Sequence, residues 1–135
     1  MKPSINTAPL LADLRRYIAL TQEEEQAILR LLTHRSFKKG QFIGSVGDVD
    51  RYTNFILSGS ARVFYVDDNG QEHNIQLGIN NWWLSDYKLF TTGDPGSLYI
   101  EALEETEILA LSYDHLQQLF EAVPKLERFF RLLVE

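Results

Sequence analysis

The sequence predicts a mainly β protein, an antiparallel β-roll or jelly roll with a helical pair before it and helices after it. Two observations carry that expectation. Between Gln41 and Leu111, short β-branched and aromatic runs alternate with turn residues, which is strand-and-hairpin patterning. On either side, apolar residues recur at helical spacing instead. Many short antiparallel strands within one stretch favour a closed or rolled sheet, because closure limits exposed strand edges.

The first helix is expected over residues 9–19, where Leu11, Leu14 and Ile18 share a face and Pro9 suits a first-turn position. Thr21-Gln22-Glu23-Glu24 is a capping-box pattern that starts a second helix, with Ile28, Leu31 and Leu32 facing inward. Arg30 and Arg35 are placed late in that helix, where cations suit the negative end of its dipole. The candidate strands are Phe42-Ile43, Thr53 to Leu57, Ala61 to Val66, Glu72 to Leu77, Leu98 to Leu103 and Glu107 to Leu111. Asn69-Gly70 marks a hairpin, since glycine tolerates positive φ. The segment 78–97 is too long for a hairpin loop and is expected to hold a short helix over Tyr87 to Phe90, capped by Ser85 or Asp86. Helices over Tyr113 to Ala122 and Lys125 to Val134 follow, parted by Val123-Pro124. Leu126, Phe129, Phe130 and Leu133 give the latter a buried or partner-facing stripe. The expected organisation is one domain: a helical segment 1–36, a roll 37–112 with the insertion 78–97, and C-terminal helices 113–135.

Composition excludes several classes of function. With no cysteine there is no disulfide scaffold, thiolate metal site or cysteine nucleophile. The longest aliphatic run, Ile108 to Leu111, is far too short to cross a bilayer, and residues 1–6 lack a signal-peptide core. A cytoplasmic protein without membrane contact is expected. Residues 37–123 carry five basic and thirteen acidic side chains, the reverse of the cationic footprint that holds nucleic-acid phosphates. His34, His73 and His115 stand apart, with no metal-ligand spacing, and no phosphate loop, dinucleotide fingerprint or serine-nucleophile elbow is present. No catalytic or metal residues are assigned. Asp67-Asp68-Asn69-Gly70 begins like a calcium loop, but the position that needs glutamate is Gly78.

Four blocks carry a resemblance: Phe37-Lys38-Lys39-Gly40-Gln41-Phe42-Ile43, then Gly47-Asp48, then Asn54 through Phe64 with Ile56-Leu57-Ser58-Gly59-Ser60 at its centre, then Asn69-Gly70-Gln71-Glu72. In this order they resemble the cyclic-nucleotide-binding-domain family. Trp82-Trp83 falls where that family has a bulky pair before its phosphate-binding cassette, Ala102 falls on its closing alanine, and Leu116 to Pro124 resembles the helix that follows. Over residues 20–135 the chain looks most like the sensor half of Crp/Fnr-type bacterial transcription regulators.

That resemblance implies a regulatory domain, not an enzyme. It implies a small-molecule effector in the roll, a homodimer through the C-terminal helix, and DNA contact only through a helix-turn-helix absent from these residues. The candidate pocket residues are Trp83, Leu84, Ser85, Asp86, Tyr87, Lys88, Gly96, Ser97 and Leu98. Departures from the family pattern bear on the ligand. Relatives that bind cyclic AMP have Gly-Glu early in the cassette and an arginine before a small residue late in it. Here Ser85 and Asp86 take the first two places, Gly96 takes the arginine's and Ser97 the small residue's. Losing charge-assisted bonds to a phosphate weakens binding by on the order of a hundredfold. Lys88 is the single cation between Leu84 and Ala102. Backbone amides at a helix start can still hold an anion, so a cyclic nucleotide or another small anion stays among the candidates, beside an unrelated effector and a ligand-free dimerisation scaffold. Asp86 as a helix cap, Ser97 as a strand-start hydroxyl and Lys88 as a solvated residue are the structural alternatives to ligand contact. Trp82 and Trp83 should face opposite ways, one in the core and one over the pocket.

Overall fold

The computed structural model describes residues 5–133. Two antiparallel sheets of four strands face each other. One contains β1 (Thr33–Phe37), β3 (Tyr52–Ser58), β6 (Trp83–Leu84) and β8 (Thr106–Ser112) in the order β1-β8-β3-β6. The other contains β2 (Phe42–Gly44), β4 (Ala61–Val66), β5 (Glu72–Gly78) and β7 (Tyr99–Ala102) in the order β2-β7-β4-β5. Helices α1 (Ala8–Arg15) and α2 (Gln22–Leu31) precede the roll, α3 (Tyr87–Thr92) interrupts it, and α4 (Tyr113–Ala122) and α5 (Lys125–Leu133) follow.

Strand alternation divides the core in two. Ile108 and Ala110 of β8, with Ile56 of β3, turn into the roll beside Val63, Leu84, Ile100 and Ala102. Leu109, Leu111 and Phe55 turn outward, onto Leu10, Leu14, Ile28, Leu116, Leu119, Leu126 and Phe129 of the helices. Because side chains alternate along a strand, β3 and β8 serve both cores, and the helices cover the outer face of their sheet.

The second sheet is clamped by charge on its other face. Arg62 of β4 reaches Glu101 of β7 at 2.7 Å, Glu72 of β5 at 2.9 Å and Asn74 at 3.0 Å. Its guanidinium lies over the Phe64 ring, 3.8 Å from the centroid. The Glu101 carboxylate, and then Glu72, raise the Arg62 pKa above its ordinary value. The β4–β5 hairpin turns through residues 67–71. Asp67 Oδ1 accepts from the Asn69 and Gln71 amides at 2.9 and 3.0 Å, and Gly70 takes φ +80°. Only Gly70 of the Asn69-Gly70 pair needs positive φ.

Two segments differ from the sequence expectation. The second helix ends at Leu31, so Arg35 lies in β1 rather than late in a helix. Leu32 is already extended, and Thr33–Phe37 pairs residue by residue with β8 from Thr33↔Ala110 to Phe37↔Thr106. Within β1, His34 and Ser36 both reach Glu107 while Arg35 turns the other way, over Phe37 and Tyr52. That alternation outweighs the helical reading because the strand completes the sheet edge beside β8. The first helix also stops early, at Arg15, although the Ile18 amide still bonds to the Leu14 carbonyl. The expected C-terminal stripe is turned inward: Leu126 and Phe129 are buried and Phe130 packs on the same core. The Leu133 side chain is not described, and the expected helix end at Val134 lies outside the described residues.

The capping box at α2 is complete: the Glu24 amide donates to Thr21 Oγ1, and Glu24 Oε1 accepts from the Thr21 amide at 2.8 Å. Lys125 Nζ stands 2.8 Å from the same Oε1 and donates to the Ala19 carbonyl, joining α5 to the start of α2. The Lys125 ammonium, followed by the Thr21 amide, lowers the Glu24 pKa. A carboxylate with a lowered folded pKa stabilises the fold above its unfolded value, and that contribution is lost as the pH falls through the lowered value. Thr21→Ala should therefore cost about 1 kcal/mol in chemical denaturation. Melts taken between neutral and acid pH should show a shallower acid-side loss of stability in Glu24→Ala than in the parent.

Candidate functional site

The segment between β5 and β7 is built around one carboxylate. Asp86 is 8% exposed. Its Oδ1 accepts from the Leu89 amide at 3.2 Å, capping α3, and its Oδ2 accepts from the Ser97 and Leu98 amides at 2.8 and 3.1 Å. Asp86, rather than Ser85, is thus the cap. One side chain closes the whole loop from Asp86 to the start of β7, tying three backbone donors that would otherwise be unmet.

Gly96 sits where a side chain has no room. A Cβ there would stand 2.8 Å from the Ser45 carbonyl oxygen and 3.4 Å from Asp86 Oδ2. The Gly47 amide donates to the Gly96 carbonyl and the Gly96 amide to the Asp48 carbonyl, both at 2.8 Å. A backbone ladder thus joins residues 47–48 to Gly96. The loop that carries Gly47-Asp48 is held in place by Asp48, whose Oδ2 accepts from the Ser45 amide at 2.8 Å.

The same segment is tied to the helices on its other side. Arg51 Nε donates to the Leu89 and Phe90 carbonyls at 3.1 and 3.0 Å, and Nη2 donates to Phe90 at 2.7 Å. The guanidinium covers the Tyr113 ring, 3.5 Å from the centroid, and the Tyr113 amide bonds to the Arg51 carbonyl at 2.8 Å. The end of α3 is thereby joined to the start of α4 through one residue. Trp83 Nε1 donates to Asp13 of α1 at 2.9 Å, and its ring packs against Phe55, Phe129 and Phe130. Of the tryptophan pair, Trp83 is half-buried against the helical core and Trp82 is 45% exposed, but both line one cleft, so the expected division between core and pocket does not hold.

Two cavities flank this segment. A cleft of about 770 Å³ on the helical side is lined by Trp82, Trp83, Ser85, Tyr87, Phe90 and side chains of α1, α4 and α5. A smaller cavity of about 250 Å³ on the roll side is lined by Asp86 and Leu89 with β1, β2 and β3 residues. The candidate pocket residues are accordingly dispersed. Trp83, Ser85 and Tyr87 face the cleft and Asp86 the roll cavity. Leu84 is packed among Ile56, Ile100 and Ile108 and stands against Gly78, and Gly96 is buried in the loop ladder. Lys88 and Ser97 are exposed, and Leu98 packs at the edge of the roll core. Lys88 lines neither cavity. The residues that the pattern did not single out are Arg51 and Arg35. Arg51 shows no sequence signal, and Arg35 was hidden by the helical reading of its segment.

Residues 34–123, two thirds of the chain, match the family model for the cyclic nucleotide-binding domain. The chain belongs to that family. Among solved structures it is similar to the catabolite activator protein of Thermus thermophilus, with a TM-score of 0.77 and 24% identity over 94% of this chain and 56% of that one. It is also similar to a cyclic nucleotide-binding domain from Methylobacillus flagellatus, with a TM-score of 0.78 and 22% identity over 93% of this chain and 75% of that one. The sensor domain of the transcriptional regulator DNR from Pseudomonas aeruginosa gives a TM-score of 0.75 and 14% identity, over 94% of this chain and 87% of that one. At these identities the likeness is one of fold. The chain spans only about half the length of the activator. No match was found among curated proteins.

The wiring yields two checks. Asp86→Ala leaves three backbone donors unpaired and should destabilise the protein by about 2–4 kcal/mol, whereas Lys88→Ala, at an exposed position, should change the unfolding midpoint little. Arg51→Lys keeps the charge but loses the fork to two carbonyls. Its amide hydrogen exchange should rise in α3 and at the start of α4 while the β4–β5 hairpin stays at parent rates.

Proposed function

We propose that the chain is the effector-sensing domain of a Crp/Fnr-type transcription regulator whose altered cassette does not hold cyclic AMP in the usual way. What supports this reading is that Gly96, which the family resemblance aligns with the phosphate-binding arginine, is held in a backbone ladder with no space for a side chain. The cassette keeps the mechanical parts of a sensor. It is joined to the roll through Asp86 and to the helices through Arg51 and Trp83, so a ligand that favours one cassette position would shift α4 and α5 with it. Such a shift requires different affinity for the two positions. The reading includes a bacterial cytoplasmic location, a homodimer and DNA contact through a helix-turn-helix outside these residues; among the described residues, no helix is long and apolar enough to span a membrane. The work of the domain in this reading is binding, not catalysis.

A second reading, a ligand-free interaction scaffold, is favoured by the edge strand β5. Ile75 and Leu77, followed by Ile79, are each more than half exposed, and an apolar edge of this kind suits pairing with another chain. It predicts that Leu77→Lys abolishes any dimer seen by light scattering, and that no pocket ligand changes the oligomeric state.

Calorimetric titration with cyclic AMP tests the first reading. Binding weaker than about 1 mM is expected, with no gain from Gly96→Arg, which must displace the Ser45 carbonyl and should lower the melting temperature. A micromolar dissociation constant for the parent protein would overturn it.

A further inference from the structure

A residue that lines the roll cavity carries an unmet hydrogen-bond demand. Asn54 of β3 is 4% exposed, and its Nδ2 donates to the Leu84 carbonyl at 3.1 Å. Its Oδ1 has no partner among the described residues, and Asn54 lines the roll cavity of about 250 Å³. A buried acceptor without a donor is costly and is seldom retained without a reason. The amide is not simply turned the wrong way: exchanging its O and N would set an oxygen against the Leu84 carbonyl.

The charges that line this cavity are unbalanced. Asp48, Asp50 and Asp86 line the same cavity, against the single guanidinium of Arg35. Arg35 lies over aromatic rings, 5.0 Å from the Phe37 centroid and 5.6 Å from that of Tyr52, and pairs with no carboxylate among the described residues. Asp86 and Asp48 each accept backbone amides. Asp50 accepts no hydrogen bond from any described residue. The excess of negative charge disfavours an anion and favours a cation. A metal ion is not the fitting cation, because among the described residues no group of three His, Cys, Asp or Glu side chains is placed to hold one. The orphan Oδ1 asks for a hydrogen-bond donor, which an organic ammonium or amidinium supplies together with its charge. The cavity is below the usual range for drug-sized ligands, so the occupant is small.

We propose that the roll cavity binds a small organic cation bearing N–H groups, a protonated amine or amidine, that donates to Asn54 Oδ1 and pairs with Asp50. The proposal rests on the effector-sensing reading and names the class of ligand for the roll side of the cassette. The cavity wall includes Asp86 and Leu89, so an occupant would press directly on the cap of α3. The position differs from the one occupied by the Gly96-Ser97 backbone, which does not line this cavity.

The test is a nitrogen-15 NMR titration of the full chain with four cationic probes, putrescine, agmatine, benzamidine and acetamidine, alongside inorganic phosphate and cyclic AMP. The expected result is a saturable shift of the Asn54 side-chain amide with at least one cationic probe, with a dissociation constant below about 1 mM. Affinity should fall by about tenfold or more in Asn54→Leu and in Asp50→Asn. Asp50 is exposed, so Asp50→Asn keeps the test alive if Asn54→Leu does not fold. Absence of a saturable shift with all four cations would mean that water satisfies Asn54 and would overturn the proposal, as would an equal response to phosphate, or unchanged affinity in Asp50→Asn. Micromolar cyclic AMP binding would strike at the effector reading itself. Silence from the cations together with silence from cyclic AMP would remove only this inference.

Discussion

The Asp86 carboxylate is the constraint on which the candidate site depends. It caps α3 with one oxygen and gathers the entry to β7 with the other. A short helix has little stability of its own, because nucleation is unfavourable and few internal bonds form. Six residues, Tyr87–Thr92, remain helical here because both ends are held from outside: the first turn by Asp86 and the last by Arg51 on the Leu89 and Phe90 carbonyls. The Asp86 carboxylate is thus engaged by the protein's own backbone.

That engagement makes the cassette a wall shared by two compartments. Its alternate residues contact the helical cleft and the roll cavity, and its fastenings lead in different directions. Trp83 reaches α1 through Asp13, Arg51 reaches α4 through Tyr113, and the Gly96 ladder reaches the loop before β3. A displacement at this segment cannot stay local, because each fastening is a buried or half-buried polar bond to a different element. Packed interiors respond to such shifts as units.

Much of this was legible in the residues. The capping box at Thr21 and Glu24, the turn at Gly70, the α4 and α5 helices and the strand runs of β3, β4, β5 and β8 follow from local rules, since each depends on neighbours a few positions away. The helix at Tyr87 was also foreseeable from Asp86 and the length of the insertion. Arg35 was not. Thr33–Phe37 continues a helical stretch without a glycine or proline to stop it, and only the vacant edge beside β8 selects the extended form. Nor was Arg51 legible, because its partners lie 38 and 39 positions away on carbonyls that carry no sequence label.

By itself the sequence determined the order and kind of most elements and the family, because these reside in residue identity and short-range spacing. Only the tertiary structure decided that Gly96 is enclosed by backbone, that Lys88 is exposed while Arg35 lines the roll cavity, and that Asn54 keeps an unpaired oxygen on a residue that lines the same cavity as three carboxylates. Those facts depend on which distant segments meet, and such meetings are set by the packing of two sheets and five helices rather than by any local pattern.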